Sequence, residues 1–201
     1  MKTPKDILQN GIYKSDKPEN KRFSCKVTAE QFSKEFLNSI DFDFVIDDNN
    51  RPVINQLFYY LNKSELFSGD IEKGVLLIGG FGSGKTVIMD SFCYIVREFS
   101  SKVITKIQSR ELIEIAKSNE TTYYKRPLYI DDVGKEPMEV IDYGSALRPF
   151  EDLLDIRYRN NGITFGTSNL KMEDMQYNGH TKDRIKQMFN IIVLPGKSRR
   201  T

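Results

Sequence analysis

The residues with the clearest chemical spacing are Gly79-Gly80-Phe81-Gly82-Ser83-Gly84-Lys85-Thr86, which fit G-x-x-x-x-G-K-[ST]. Glycines at this spacing let backbone N–H groups converge on phosphate oxygens, and a helix starting there adds the positive end of its dipole. Lys85 can reach β- and γ-phosphates, and the Thr86 hydroxyl can ligate Mg²⁺. The expected nucleotide-contacting set is Gly79, Gly80, Phe81, Gly82, Ser83, Gly84, Lys85, Thr86 and Val87. A second cluster follows the apolar run Leu128-Tyr129-Ile130, which ends in Asp131-Asp132. The carboxyl ends of strands in an open α/β sheet face the ligand crevice. Asp131 can there hold Mg²⁺ directly or through water, and Asp132 can polarise an attacking water. One carboxylate on the metal and one on the nucleophile suit hydrolysis of a γ-phosphate. A third cluster is Thr167-Ser168-Asn169-Leu170, where the Asn169 amide can donate to a phosphate oxygen or position water.

These clusters need elements that bring them together. The apolar run Gly74 to Ile78 reads as a buried strand into the glycine loop, and Val87-Ile88-Met89 with Phe92-Cys93 reads as the inner face of a helix leaving it. Val103 to Ile107 alternates like a strand, and Ser109 is expected to cap a helix carrying Leu112, Ile113, Ile115 and Ala116. Gly134 to Gly144 reads as loop. Pro149 opens a helix with Leu147, Phe150, Leu153 and Leu154 inward, closed by Asn161-Gly162. A strand over Ile163 to Thr167, a short helix over Thr181 to Phe189 and a last strand over Ile191 to Leu194 complete five core strands. Strands alternating with helices predict an α/β fold: three layers around a five-stranded, mostly parallel sheet. In the additional-strand class of phosphate-loop ATPases, the acid-bearing strand is inserted between the first two, and the next strand lies beside the loop strand. That arrangement would set Asn169 against the phosphates.

Upstream, residues 1–26 are polar and lysine-rich and read as an arm with little structure of its own. Thr28 and Gln31 can form a capping box, with Val27 stapling onto Phe32; Phe32, Phe36, Leu37 and Ile40 follow at helical spacing. That helix either packs on the domain or docks a partner. Residues 1–43 are thus set apart as arm and helix from a core over 44–201. Pro52 opens a second helix with Val53, Ile54, Leu57, Phe58 and Leu61 on one stripe.

The 201 residues suit a single α/β core. Lys plus Arg number 30 against 28 Asp plus Glu, which argues against a strongly cationic DNA-coating protein. Cys25 and Cys93 have no metal-ligand or disulfide-framework spacing. The polar start carries no signal-peptide pattern, and no apolar run is long enough to cross a bilayer, so a cytoplasmic location without membrane partners is expected. Lys197, Arg199 and Arg200 form a basic tail, and Lys102, Lys106, Lys125 and Arg126 add scattered charge, read as a solvated face with scope for phosphate contact. His180 is expected to face water.

The segments Lys73 to Thr86, Ile130-Asp131-Asp132-Val133-Gly134-Lys135-Glu136 and Thr167-Ser168-Asn169-Leu170 together resemble the AAA+ ATPases of the DnaC/IstB type, bacterial and phage helicase loaders and transposition helpers. The resemblance covers about residues 44–200. It implies Mg²⁺ and ATP as ligands, a homo-oligomer when ATP is bound, and a replicative helicase or a transposase as partner, with single-stranded DNA engaged in the helicase case. It implies catalytic roles for Lys85, Asp131, Asp132, Asn169 and Arg184. The segment Asp183 to Asn190 is similar to the one that presents an arginine finger to a neighbouring subunit; Arg184 is the matching residue and Arg157 a second candidate. Phe44-Val45-Ile46-Asp47 with Asn55 lies where this family packs adenine. The sequence departs from the family pattern in ending at Thr201 without a C-terminal helical lid, in carrying Asp132 where many AAA+ ATPases have Glu, and in a short N-terminal part. Glu136 is a further acid in the motif. A nucleotide-dependent switch with little turnover remains the alternative; a small-molecule kinase is disfavoured by the paired acids and Asn169.

Overall fold

The computed structural model describes residues 25–100, 102–118 and 120–199. The arm expected over residues 1–26 lies outside them except for Cys25 and Lys26, as does Arg200 of the basic tail.

The first helix, α1 (Ala29–Asn38), starts as its capping residues dictate: Gln31 N donates to Thr28 Oγ1 at 3.2 Å, and Thr28 N donates to Gln31 Oε1 at 3.0 Å. Its buried side chains, Phe32 and Phe36, are four residues apart and share one face. Phe32 meets Phe58 edge-on at 5.3 Å, and Phe36 lies 5.8 Å from the Phe44 ring. The apolar face of α1 is thus spent on the domain core, leaving only its outer face to a partner. Helix α2 (Arg51–Leu61) carries Pro52 in its first turn and buries Val53, Ile54, Leu57, Tyr60 and Leu61.

Five strands form one sheet in the order β2-β3-β6-β1-β7: β1 (Gly74–Gly79), β2 (Thr105–Gln108), β3 (Leu128–Asp131), β6 (Thr164–Ser168) and β7 (Phe189–Leu194). Every pairing in it is parallel. Strand side chains alternate between faces, so each central strand feeds two cores. Val75 and Leu77 enter the cluster under α1, α2 and α3 (Lys85–Phe99). Leu76 and Ile78 enter the one under α4 (Leu112–Ser118), α6 (Pro149–Arg159) and α7 (Gly179–Met188). Burying a side chain of this size stabilises by roughly 1.5–3 kcal/mol, which makes the two clusters the main force holding the three layers. The short helix α5 (Thr122–Lys125) lies between α4 and β3.

The acid-bearing strand β3 sits between β2 and β6, and β6 pairs directly with β1, with Leu77 opposite Thr167 and Ile78 opposite Ser168. This order delivers the ends of β3 and β6 to the glycine loop.

Three expectations are corrected. The segment read as loop over Gly134 to Gly144 runs into a hairpin, β4 (Val140–Asp142) antiparallel to β5 (Ser145–Leu147). Tyr143 and Gly144 turn it with φ of 46° and 83°, a two-residue turn in the left-handed region. Tyr is an unusual residue there, so turn chemistry gave no warning. Gln108, not Ser109, caps the turn after β2: it forms a capping box with Glu111 over a 3-10 segment, Ser109–Glu111, that precedes α4. The helix expected over Thr181 to Phe189 begins earlier, at Gly179, because Asn178 accepts from Thr181 N, and the last strand takes Phe189.

Candidate functional site

The glycine loop joins β1 to α3 through Gly84, whose φ of +100° only glycine adopts readily and which stands at the N-cap of α3. Lys85 and Thr86, the next two residues, open the helix. The Lys85 side chain is buried and folded across the loop. Its Nζ donates to Gly79 O and Gly80 O, both at 2.9 Å, and to Asn169 Oδ1 at 2.8 Å. The Asn169 amide completes the link by donating to Asp132 Oδ1 at 2.9 Å.

Asp131, at the end of β3, is buried at 3% exposure. Its Oδ1 accepts hydroxyl protons from Thr86 at 3.0 Å, Tyr129 at 2.8 Å and Thr167 at 2.5 Å, and its Oδ2 accepts from Gln108 Nε2 at 3.2 Å. Burial pushes the carboxyl up, but the bonds from Thr167, Tyr129, Thr86 and Gln108 outweigh it and hold Asp131 below the ordinary carboxylate value. Tyr129 moves the other way: burial and the Asp131 charge push its phenol far up, so it stays a proton donor. Beside it, Lys106 Nζ lies 2.7 Å from both Asp90 oxygens and 3.6 Å from Asp131 Oδ2. Thr86 and Asp131 together present hard oxygen donors in contact with each other, the donor set Mg²⁺ takes.

Asp132 points differently from its neighbour because its φ is +64°. Its N–H donates to Thr167 Oγ1 at 3.0 Å, and its Oδ2 receives Lys135 Nζ at 2.6 Å. Thr167 thereby holds both acids at once.

Beside these groups lies a cavity of about 480 Å³, lined by Gly82, Gly84, Lys85, Thr86 and Val87 and by Asp132, Lys135 and Asn169. Phe42, Asp43, Phe44, Val45, Phe81 and Arg199 complete the lining, with Phe44 and Arg199 next to Gly84. Gly79, Gly80, Ser83 and Asp131 do not line it.

The remaining expected residues are elsewhere. Arg184 is in α7, its guanidinium 3.6 Å from the Tyr158 ring, with Nε donating to Asp155 at 3.1 Å and Nη1 to Gln187 at 3.1 Å. Arg157 is fully buried and cannot meet another subunit: it donates to Thr164 Oγ1, to the carbonyls of Ile163 and Arg126, and to that of Tyr123. Glu136 is no spare acid either, since its buried carboxylate takes the Tyr177 hydroxyl and the Gly134 N–H. Asn55 is exposed on α2, away from the cavity lining. The basic tail is not a free one, because Arg199 is bonded to Asp47 at 2.6 Å. His180 is exposed, as expected, 3.4 Å from Arg184. Sequence reasoning missed Gln108, Tyr129 and Thr167 as the holders of Asp131. A polar residue at the same strand end as a buried acid is the signal that would have found Gln108 and Thr167.

Among the described residues no helix is long and apolar enough to cross a membrane. No protein-family model matches the sequence, and no curated protein does. Solved structures do match. DnaI is 25% identical with a TM-score of 0.59, over 83% of this chain and 93% of that one. The DnaC helicase loader is 18% identical with a TM-score of 0.57, over 81% of this chain and 99% of the other. AMPPCP-bound DnaA from Aquifex aeolicus is 13% identical with a TM-score of 0.57, over 75% of this chain and 48% of that one. With the parallel sheet, its strand order and the loop between β1 and α3, the chain has a DnaC/IstB-like AAA+ fold.

Proposed function

We propose that this chain binds Mg-ATP in the cavity at the glycine loop and hydrolyses it as an ATPase of the helicase-loader type. Acting in DNA replication, it would engage a replicative helicase and single-stranded DNA, and assemble with further copies of itself when ATP is bound. The observation that carries the reading is the Thr86–Asp131 hydrogen bond directly beneath a loop whose Lys85 reaches Asn169. In that arrangement Lys85 leaves the Gly79 and Gly80 carbonyls to meet phosphate oxygens, and the loop N–H groups hold the remainder. Thr86 and Asp131 would hold Mg²⁺, which would supply positive charge against the phosphates. Asn169, released by Lys85, orients the terminal phosphate or a water. Arg184 acts on the site of a neighbouring copy, once it leaves Tyr158 and Asp155. The similarity to DnaI and to the DnaC helicase loader supports the replication setting, and that to AMPPCP-bound DnaA supports nucleotide binding.

A second reading, a nucleotide-dependent switch with little turnover, is favoured by Asp132. Its Oδ1 accepts from Asn169 and its Oδ2 from Lys135, two partners that draw on its charge and compete with a water for the carboxylate.

ATP hydrolysis measured across protein concentration, with and without single-stranded DNA, tests both. Wild type should gain specific activity with concentration. Lys85→Ala should lose binding. Arg184→Ala should still bind ATP but lose about a thousandfold or more in turnover, as for fingers supplied in trans. Wild type that binds Mg-ATP without turnover in any condition would leave the switch reading standing.

A further inference from the structure

The segment after β3 carries a second lysine at the cavity, and the turn that presents it is held in place. Lys135 N donates to Asp132 O at 3.1 Å, and Gly134, whose φ of +94° makes the bend, donates its N–H to Glu136 Oε2 at 2.9 Å. Glu136 is buried and takes the Tyr177 hydroxyl, and Val133 N donates to Thr167 O at 2.8 Å on the neighbouring strand. The Lys135 side chain is placed differently. It is half exposed, and it lines the cavity together with Lys85, Asp132 and Asn169. Its Nζ lies 2.6 Å from Asp132 Oδ2 and 5.4 Å from the centre of the Phe81 ring, so it reaches the glycine loop as well as the acid.

These contacts form a chain, Lys85–Asn169–Asp132–Lys135, with an ammonium at either end and a single carboxylate between them. An ion pair this exposed adds little to stability, too little to make Lys135 a brace of the fold. An ammonium on a flexible stem, still partly in water, exchanges one anion for another with little further desolvation. A terminal phosphate carries more negative charge than a carboxylate and offers three acceptor oxygens. Lys85 belongs to the loop and is the lysine for the β- and γ-phosphates; Lys135 stands beyond it, past Asn169 and Asp132. We propose that Lys135 distinguishes triphosphate from diphosphate at this site: it leaves Asp132 for the terminal phosphate of a bound nucleoside triphosphate, and stays on Asp132 when that phosphate is missing. The exchange also frees Asp132 Oδ2 in the triphosphate complex alone. The proposal rests on the nucleotide-binding reading above and deepens it.

The test is isothermal titration of the full chain with Mg-AMPPCP, a triphosphate whose terminal bond resists hydrolysis, and separately with Mg-ADP. Lys135→Met keeps an apolar stem near Phe81 and removes the charge. It should bind Mg-AMPPCP about tenfold more weakly, equal to about 1.4 kcal/mol, yet bind Mg-ADP within about twofold of wild type. Unchanged ADP binding also shows that the variant is folded at the loop. Lys135→Arg, which keeps a cation there, should hold AMPPCP affinity within about threefold of wild type. The proposal is overturned if Lys135→Met keeps wild-type AMPPCP affinity, if both ligands weaken together, or if Lys135→Arg loses as much as Lys135→Met. Lys85→Ala weakening both ligands marks the nucleotide reading as sound whatever Lys135 does. Wild type binding neither would overturn that reading and this proposal with it.

Discussion

The two ends of the central sheet each bury a charge, and they do so in opposite ways. At the carboxyl end Asp131 is an anion held by three hydroxyls and an amide, all on side chains, beside a cavity. At the amino end Arg157 is a cation held by Thr164 and three main-chain carbonyls, with no part of that cavity near it. Side-chain hydroxyls rotate and can exchange one partner for another. Main-chain carbonyls fixed between α5, β3 and β6 cannot. The first end can therefore exchange partners, as the proposed ligand would require, while the second is fixed in the fold. Burial pulls the Arg157 guanidinium down to about 9, which still leaves it protonated at neutral pH.

Replacing Arg157 should produce the largest loss of stability. Arg157→Ala removes the shared donor of four acceptors and leaves a void, which together cost about 3–5 kcal/mol, read as a lower urea midpoint or loss of soluble protein. Nucleotide affinity per folded molecule should not change; a variant that folds normally but loses assembly would break the contrast drawn here. Next comes Asp131→Asn. The amide still accepts the three hydroxyls at Oδ1 but points a donor at Gln108 and Lys106, so the fold loses little. Mg-ATP hydrolysis should fall about a hundredfold, equivalent to about 2.7 kcal/mol of barrier. Equal losses of stability in the two variants would show both ends to be merely structural.

Much of this was readable before folding, because the strongest signals are local. The glycine loop between an apolar strand and an apolar helix face, and acids at a strand's end, need only neighbouring residues. The capping box at Thr28 is likewise complete within four positions. What was not readable depends on order in the sheet. Gln108 reaches Asp131 because β2 pairs with β3, and Thr167 does so from β6, 36 residues along the chain. Arg199 meets Asp47 across 152 positions, a contact no local pattern announces. Arg157 is a different case. Phe150, Leu153, Leu154 and Arg157 lie on one helical stripe, so the spacing already placed that arginine inward, whereas its charge drew it toward a surface role. A charged residue on an apolar stripe should be read by the stripe first.

The smallest and sharpest test uses two threonines on one strand. Thr164 opens β6 and Thr167 lies three residues on, so each belongs to one of the two buried charges. Valine keeps the shape and removes only the hydroxyl. Thr164→Val takes an acceptor from a buried guanidinium and should cost about 1.5–3 kcal/mol of stability, with ligand binding untouched. Thr167→Val should cost about 1–2 kcal/mol, since Asp131 keeps its other donors while the Asp132 N–H loses its acceptor, and it should change how Asp131 titrates. In the wild type the folded-state value of Asp131 is depressed, so its stabilising contribution is present above the unfolded value near 3.9 and is lost as pH falls through the lower folded one. Thr167 is the leading donor that depresses it. Without that hydroxyl the value rises and the contribution shrinks, so the metal-free variant should lose stability at a higher pH than wild type on acidification. Urea unfolding of both proteins from neutral pH into the acid range measures this. Coincident acid limbs would mean that Thr167 does not tune Asp131, and that the carboxyl end is held as rigidly as the amino end.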